Sequence, residues 1–232
     1  MKSMIHAEKE GKTCPPRRVP LSEKMSASKL QMAYDEIADQ YEKKVWFDQH
    51  ILGVARLREK LLSKATGKIL DVACGTGLNI PLFPAGSDIT AVDLSPNMLR
   101  VARAQATKHG RDVNFEVMDA EDLKFADGSF DTVVSTLSTC TFPDPVKALQ
   151  EMKRVCQPNG LILLLEHGHS SLQWLANFQD RNEYRHYQDH AGCRWNQDPL
   201  DLVRSAGINV LRSKRNILGM FHSIEAAPVV ES

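Results

Sequence analysis

The sequence predicts a doubly wound α/β fold: a mostly parallel, seven-stranded sheet with helices on both faces and a helical lid at the N-terminal side. Three observations predict it. From Gly67 onward, short apolar runs alternate with segments of helical period, the order that builds parallel strands through right-handed crossovers. The run Lys68-Ile69-Leu70-Asp71-Val72-Ala73-Cys74-Gly75-Thr76-Gly77 passes from strand to glycine turn. A second run, Ile89-Thr90-Ala91-Val92, ends in Asp93, at the carboxyl edge where open sheets bind their ligands.

Each element follows in chain order. Residues 1–25 contain Gly11, Pro15, Pro16 and Pro20 without apolar periodicity, and a flexible tail is expected there. Residues 26–232 are expected to form one domain. Its first part, 26–66, is the helical lid, with Leu30, Tyr34, Ile37, Ala38, Tyr41 and Val45 on one face. A second helical run carries Ile51, Val54, Leu57, Leu61 and Leu62. The cofactor-binding core, 67–167, is expected to hold strands near 68–72, 89–93, 113–118, 130–135 and 160–166. Helices are expected near 77–83, 96–109, 145–156 and 196–206. Ser95-Pro96 and Asp144-Pro145 each set a capping side chain before a first-turn proline. Gly110 and Gly160 fall where helices or turns stop. The last part, 168–232, reads as a substrate-side insert followed by Val210–Lys214 and Ser223–Ala226, an antiparallel pair at the sheet edge.

Composition narrows the function classes. Lys plus Arg equals Asp plus Glu at 29 each, so no overall field favours nucleic acid or an anionic membrane; Pro15-Pro16-Arg17-Arg18 reads as a solvated tail. The five cysteines are dispersed and odd in number, which points to a reducing compartment rather than a disulfide framework. No apolar run approaches the roughly 20 residues of a spanning helix. A soluble, intracellular protein is expected, cytoplasmic or alternatively mitochondrial.

The glycine loop decides between nucleoside cofactors. A dinucleotide fingerprint carries a third glycine, and here that position is Ile80 in Gly75-Thr76-Gly77-Leu78-Asn79-Ile80. Without a pyrophosphate to cradle, the loop favours S-adenosyl-L-methionine. Asp93 stands where a carboxylate accepts both ribose hydroxyls.

Together these residues resemble the class I S-adenosylmethionine-dependent methyltransferases, Rossmann-like enzymes, and among them the ubiquinone/menaquinone-biosynthesis type (methyltransferase type 11). The resemblance covers about residues 30–228. It rests on Tyr34-Asp35-Glu36-Ile37-Ala38-Asp39-Gln40-Tyr41, Asp71-x-Ala73-Cys74-Gly75-Thr76-Gly77, Asp93-Leu94-Ser95-Pro96-Asn97-Met98-Leu99, Asp119-Ala120-Glu121-Asp122-Leu123 and Phe130-Asp131-Thr132-Val133-Val134. Toward the C-terminal side, Leu164-Leu165-Glu166-His167-Gly168 and Gly192-Cys193-x-Trp195-Asn196 are similar to mitochondrial and bacterial methyltransferase-like proteins and, more distantly, to alkyl-thiol methyltransferases. Such relatives often carry a membrane anchor ahead of the domain; none is read here.

The resemblance implies roles. Tyr34 and Tyr41 would close the lid, Tyr41 equally well as a packing residue. Asp71, Ala73, Gly75 and Gly77 would line the methionine end, Asp93 would hold the ribose and Met98 would flank the adenine, with Cys74 and Leu94 also in the cofactor site. Asp119 and Ala120 would meet the adenine amino group, and Thr136 and Leu137 the sulfonium; the spent cofactor is S-adenosyl-L-homocysteine. His167 follows the fifth strand at the ligand-binding edge and is the candidate general base, with His169 behind it. A phenolic hydroxyl of pKa about 10 needs a base more than a thiol of about 8.5 does. Cys140 reads as a small buried residue. His186, His190 and Cys193 offer three ligands at helical spacing but match no structural zinc pattern, so no metal is expected. Trp174, Tyr184, Tyr187 and Trp195 make 170–196 an aromatic-rich segment, read as a substrate cap.

The leading expectation is methyl transfer to a small or lipophilic acceptor such as a quinol, phenol or thiol. The alternatives are a non-catalytic binding or assembly factor on the same fold, or a protein or RNA methyltransferase. Balanced charge and Ser135-Thr136-Leu137-Ser138, where base-amino methyltransferases carry a proline-aromatic motif, argue against nucleic acid. The sequence does not set the oligomeric state.

Overall fold

The computed structural model describes residues 24–228; most of the expected N-terminal tail, with Cys14 and the Pro15–Arg18 patch, lies outside them. Seven strands form one sheet in the order β3-β2-β1-β4-β5-β7-β6. They are β1 (Lys68–Val72), β2 (Asp88–Asp93), β3 (Asn114–Val117), β4 (Phe130–Thr136), β5 (Cys156–His167), β6 (Ile208–Asn216) and β7 (Phe221–Pro228). The first five run parallel, and β7 is antiparallel to both β5 and β6. The expected edge pair is present, with β7 inserted between β5 and the edge strand β6.

Burial on both faces explains the apolar strands. Ile69, Leu70, Val72, Val133, Val134 and Ile162–Leu165 are all fully buried, as a sheet covered on both sides requires. On one face Leu70, Val133, Ile162 and Leu164 pack with Leu149, Met152 and Val155 of α5 (Pro145–Val155) and Val203 of α8 (Pro199–Ser205). On the other, Ile69, Val134, Leu163 and Leu165 meet Leu61 and Leu62 of α3 (Val54–Leu62). Ala91 and Phe115 meet Leu99, Ala102 and Ala106 of α4 (Pro96–Lys108) on that same side. Alternate residues of each strand therefore serve the two layers.

The caps form as the sequence indicates. Ser95 Oγ accepts from Met98 N at 3.0 Å and Asp144 Oδ1 from Lys147 N at 3.1 Å, each ahead of a first-turn proline. Gly110, at φ +61°, ends α4.

Four expectations change. The helix near 77–83 is a short 3-10 turn, Ile80–Leu82, because Pro81 removes a backbone donor at its start. Gly160 stops nothing: it lies inside β5, where a Cβ would sit 2.8 Å from the Asp131 carbonyl oxygen, and its absence admits the irregular register between Phe130 and Thr132. The N-terminal run breaks into α1 (Ala27–Ile37), a 3-10 turn and α2 (Tyr41–His50). The insert contributes α6 (Gln173–Arg181) and α7 (Glu183–Asp189), which the sequence showed as aromatic content rather than as placed helices.

Because β1 leads outward to β2 and β3 while β4 and β5 lie on its other side, the chain reverses direction between β1 and β4. A crevice opens there at the carboxyl ends of the strands. Helices α1 and α2 cross its mouth, fixed to α4 by polar contacts. Asp35 accepts from Asn97 N at 3.1 Å and from the Ser95 hydroxyl, and Arg100 pairs with Asp39 at 2.6 Å.

Candidate active site

The crevice holds a cavity of about 940 Å³ that is in part open to solvent. Ala73, Cys74 and Gly75 from the turn after β1, Asp93 and Leu94 from the end of β2, Met98, Asp119, Ala120, Thr136 and Leu137 all line it. So do Tyr34 and Tyr41 from the lid, with ring centroids 6.2 Å apart. Asp71, Gly77 and His167 are not among the wall residues.

Backbone geometry shapes the loop. Ala73 (φ +53°), Gly75 (φ +56°), Gly77 (φ +84°) and Leu137 (φ +57°) all adopt left-handed conformations, which cost a side-chain-bearing residue on the order of 1–3 kcal/mol. Strain thus collects at the two strand ends flanking the crevice. At Gly75 a Cβ would meet nothing within 4 Å, so the backbone faces open cavity. Gly77 serves packing instead. A Cβ there would approach the Ala102 backbone to 3.1 Å, so its absence lets α4 lie against the loop.

Polar groups divide the cavity. Asp93 Oδ2 accepts from Gly75 N and Oδ1 from Ser95 N, both at 2.8 Å, tying the loop to the end of β2. Burial raises its pKa to about 6 against the pull of those bonds. Asp119 Oδ1 accepts from Glu121 N at 2.9 Å. Below the turn, Asp71 Oδ1 accepts from Asn79 Nδ2 at 2.7 Å, while Oδ2 is buried with no partner. Burial drives the Asp71 pKa up to about 7, opposed by Asn79 and Arg58.

Arg58 is the residue that sequence reasoning missed. It sits on α3, buried, and lines the cavity. It donates to Asn79 Oδ1 at 2.5 Å and Thr136 Oγ1 at 2.6 Å, and its Nε has no partner. Among Leu57, Leu61 and Leu62 it reads as the polar edge of an amphipathic helix, and nothing in the spacing marks it. Glu166 was also missed. Fully buried, it accepts from Ser138 N at 3.1 Å and Thr139 N at 3.2 Å, holding the loop after β4. Burial pushes its pKa to about 7.

Toward the lid the wall is formed by Ala27, Leu30, Gln31, Val45 and Gln49 with the two tyrosines, and by Phe142 and Pro143. Burial raises both phenols, Tyr41 to about 12, so they are protonated donors at neutral pH. None of residues 170–196 lines the cavity, whereas residues of α1 and α2 do. Its aromatics pack on one another, with His186 stacked between His190 at 4.0 Å and Trp195 at 4.1 Å. Nor does Cys193 join the two histidines. Helix α7 stops at Asp189, and Cys193 turns to Cys140 Sγ at 3.4 Å and His167 Nδ1 at 3.8 Å.

The residues present fit a nucleoside carrying a charged amino-acid tail. The unpartnered Asp71 oxygen suits an ammonium, the buried Arg58 a carboxylate, and the bare Gly75 backbone a closely approaching chain.

Comparison with known proteins agrees with this fit. A family described as a methyltransferase domain matches residues 70–164. The mitochondrial methyltransferase OMS1 of Saccharomyces cerevisiae is 30% identical over 206 residues, covering 80% of this chain and 43% of that protein. The thiol S-methyltransferase TMT1B of Homo sapiens is 31% identical over 166 residues, 67% of this chain and 66% of that protein. The chain thus spans less than two thirds of the length of both relatives. The crystal structure of the [4+2]-cyclase SpnF superposes with a TM-score of 0.72 at 16% identity, over 94% of this chain and 100% of that one, a likeness of fold alone. Loop, strand order and relatives coincide: the chain belongs to the class I S-adenosyl-L-methionine-dependent methyltransferases.

Proposed function

We propose that this chain moves a methyl group from S-adenosyl-L-methionine to a small, lipophilic acceptor, by preference a thiol, through in-line displacement. The observation that carries the reading is that one cavity joins the β1 and β2 ends, with Arg58 and Asp93, to the aliphatic and tyrosine side chains of α1 and α2. In this reading Arg58 holds the cofactor's carboxylate, and Asp71, set beneath the wall, acts on the ammonium through backbone or an intervening water. Asp93 accepts from the ribose hydroxyls, and Leu94, Met98, Asp119 and Ala120 enclose the adenine. Thr136 and Leu137 stand beside the reacting carbon.

The cofactor supplies an already activated electrophile. The protein's work is therefore alignment and exclusion of water. The lid-side wall offers no ready base, since Tyr34 and Tyr41 stay protonated and His167 lies behind it. This reading gives His167 a positioning role rather than that of the proton acceptor expected from the sequence. An acceptor with a pKa of about 8.5, as a thiol has, ionises without much help, whereas a phenol near about 10 does not. The name of the human relative, a thiol S-methyltransferase, supports the same choice, and the name of the yeast relative supports the mitochondrial alternative for location. No helix among the described residues is long and apolar enough to cross a membrane.

The test is turnover with a panel of alkyl thiols and matched phenols, read by mass spectrometry of the methylated products and S-adenosyl-L-homocysteine. The proposal predicts thioether from the thiols and little ether from the phenols. Preferential ether formation would reverse the assignment of acceptor.

A further inference from the structure

Behind the acceptor side of the cavity, three segments far apart in sequence bring one soft ligand each to a common point. Cys140 comes from the loop after β4, His167 ends β5, and Cys193 follows α7. Their ligand atoms all lie within 4.8 Å of one another. Cys140 Sγ is 3.4 Å from Cys193 Sγ, and His167 Nδ1 is 3.7 Å from Cys140 Sγ and 3.8 Å from Cys193 Sγ. We propose that Cys140, His167 and Cys193 form a binding site for one thiophilic divalent cation of the zinc type, which clasps the 168–196 insert to the ends of β4 and β5.

The triangle has the size such an ion requires. Metal–sulfur bonds of about 2.3 Å and metal–nitrogen bonds of about 2.0–2.1 Å in a tetrahedron put the sulfurs about 3.8 Å apart and each sulfur about 3.6 Å from the nitrogen. All three observed edges lie within a few tenths of an ångström of these separations. Charge also balances: two thiolates and a neutral imidazole cancel a divalent cation, so the buried cluster carries no net charge. A disulfide would need the two cysteines alone and gives no reason for an imidazole nitrogen facing both sulfurs. Local structure holds the set in place. Glu166 fixes the loop carrying Cys140 through Ser138 N and Thr139 N, Arg194 N donates to Cys140 O at 2.9 Å, and the left-handed Gly192 aims Cys193 inward. Among the described residues the group has three members, leaving the fourth position of the tetrahedron to water or another small donor.

The test uses the full chain, purified under reducing conditions, stripped by a chelator and titrated with cobalt(II) as the probe. One equivalent should bind, with the visible bands of tetrahedral cobalt and a near-ultraviolet thiolate charge-transfer band. Zinc should displace it. Cys193→Ala should weaken binding by more than about 100-fold, the upper end of losses caused by disturbing mere outer partners of a metal site. Cys156→Ala, at a buried cysteine outside the cluster, should keep it. If Cys193→Ala does not fold, X-ray absorption of the zinc-loaded native chain decides, with two sulfurs at about 2.3 Å and a nitrogen at about 2.0–2.1 Å expected. Absence of the thiolate band, oxygen-only coordination, or a Cys140–Cys193 disulfide whose reduction restores no metal uptake would each overturn the site. None of these failures touches the proposed methyl transfer, which uses the other side of the wall.

Discussion

The two halves of the cavity are built by different means. The half at the β1 and β2 ends is made of strand ends and backbone: a glycine turn, two left-handed side-chain-bearing residues, and the Asp93 carboxylate held by two amide donors at 2.8 Å. The acceptor half is made of helices laid across the mouth and joined to α4 through side chains such as Asp35 and Arg100. A site on sheet ends is preorganised, because moving it means breaking the sheet. A site under two short helices can change its lining by exchanging side chains, which is why the proposal assigns acceptor choice to that side. The SpnF cyclase, sharing this fold at 16% identity, shows how far one scaffold can be turned to other chemistry.

Substitutions can break or sharpen that contrast. The largest effect is expected from Gly77→Val, which sets a branched side chain in a left-handed conformation with its Cβ 3.1 Å from the Ala102 backbone. A loss of about 3 kcal/mol or more is expected from overpacking and backbone strain together, seen as a fall in the denaturation midpoint along with loss of cofactor binding. A variant of native stability would show the nucleoside half to be less rigid than the packing implies.

Arg58→Met comes next. Removing charged hydrogen bonds worth about 2 kcal/mol should weaken S-adenosyl-L-homocysteine binding about 30-fold by calorimetry. Arg58→Lys should recover little, because an ammonium cannot reach Asn79, Thr136 and a ligand with one planar fork.

A smaller effect follows pH. Asp71 and Asp93 are raised by burial to about 7 and about 6 from a usual 3.8. Folding favours their protonated forms, so the stability they contribute to the free chain is present below about pH 4 and lost as pH rises through 7. In the proposed reading cofactor binding runs the opposite way, since an ionised Asp71 favours the ammonium. Affinity should climb from pH 5 to 8 and level off above. Asp71→Asn should flatten the upper part of that rise; an unchanged profile would remove Asp71 from the site.

The smallest effect belongs to the insert. Trp174 is 68% exposed and lines no part of the cavity. Trp174→Ser should change stability by no more than about 0.5 kcal/mol and leave kcat/KM for a thiol unaltered. A loss of activity would restore the insert as a substrate cap.

How far the molecule could be read from its sequence follows the same division. Strands β1, β2, β4 and the Leu161–Leu165 part of β5 announce themselves through apolar runs that are largely buried, and the glycine turn and Asp93 through their distance along the chain. Those signals are local. Arg58 and Glu166 give none: one looks like the wet side of a helix, the other like a strand-end acid, and only burial against Asn79 or Ser138 gives them a role. The cluster of Cys140, His167 and Cys193 was hidden for a related reason. Its members lie 27 and 26 residues apart, so spacing shows nothing and the sheet topology alone unites them. For His186, His190 and Cys193, of which no metal is expected from the sequence, helical spacing misled only in carrying α7 past Asp189 to Cys193. It misled again near Ile80, where Pro81 leaves only a turn.

The most direct test of the account is incubation of the purified chain with methyl-labelled S-adenosyl-L-methionine and a cell extract, followed by solvent partition, with Asp93→Ala as control. The account predicts label in the organic or small-molecule fraction that disappears in the variant. Label in protein or RNA, or label that survives loss of Asp93, would contradict it.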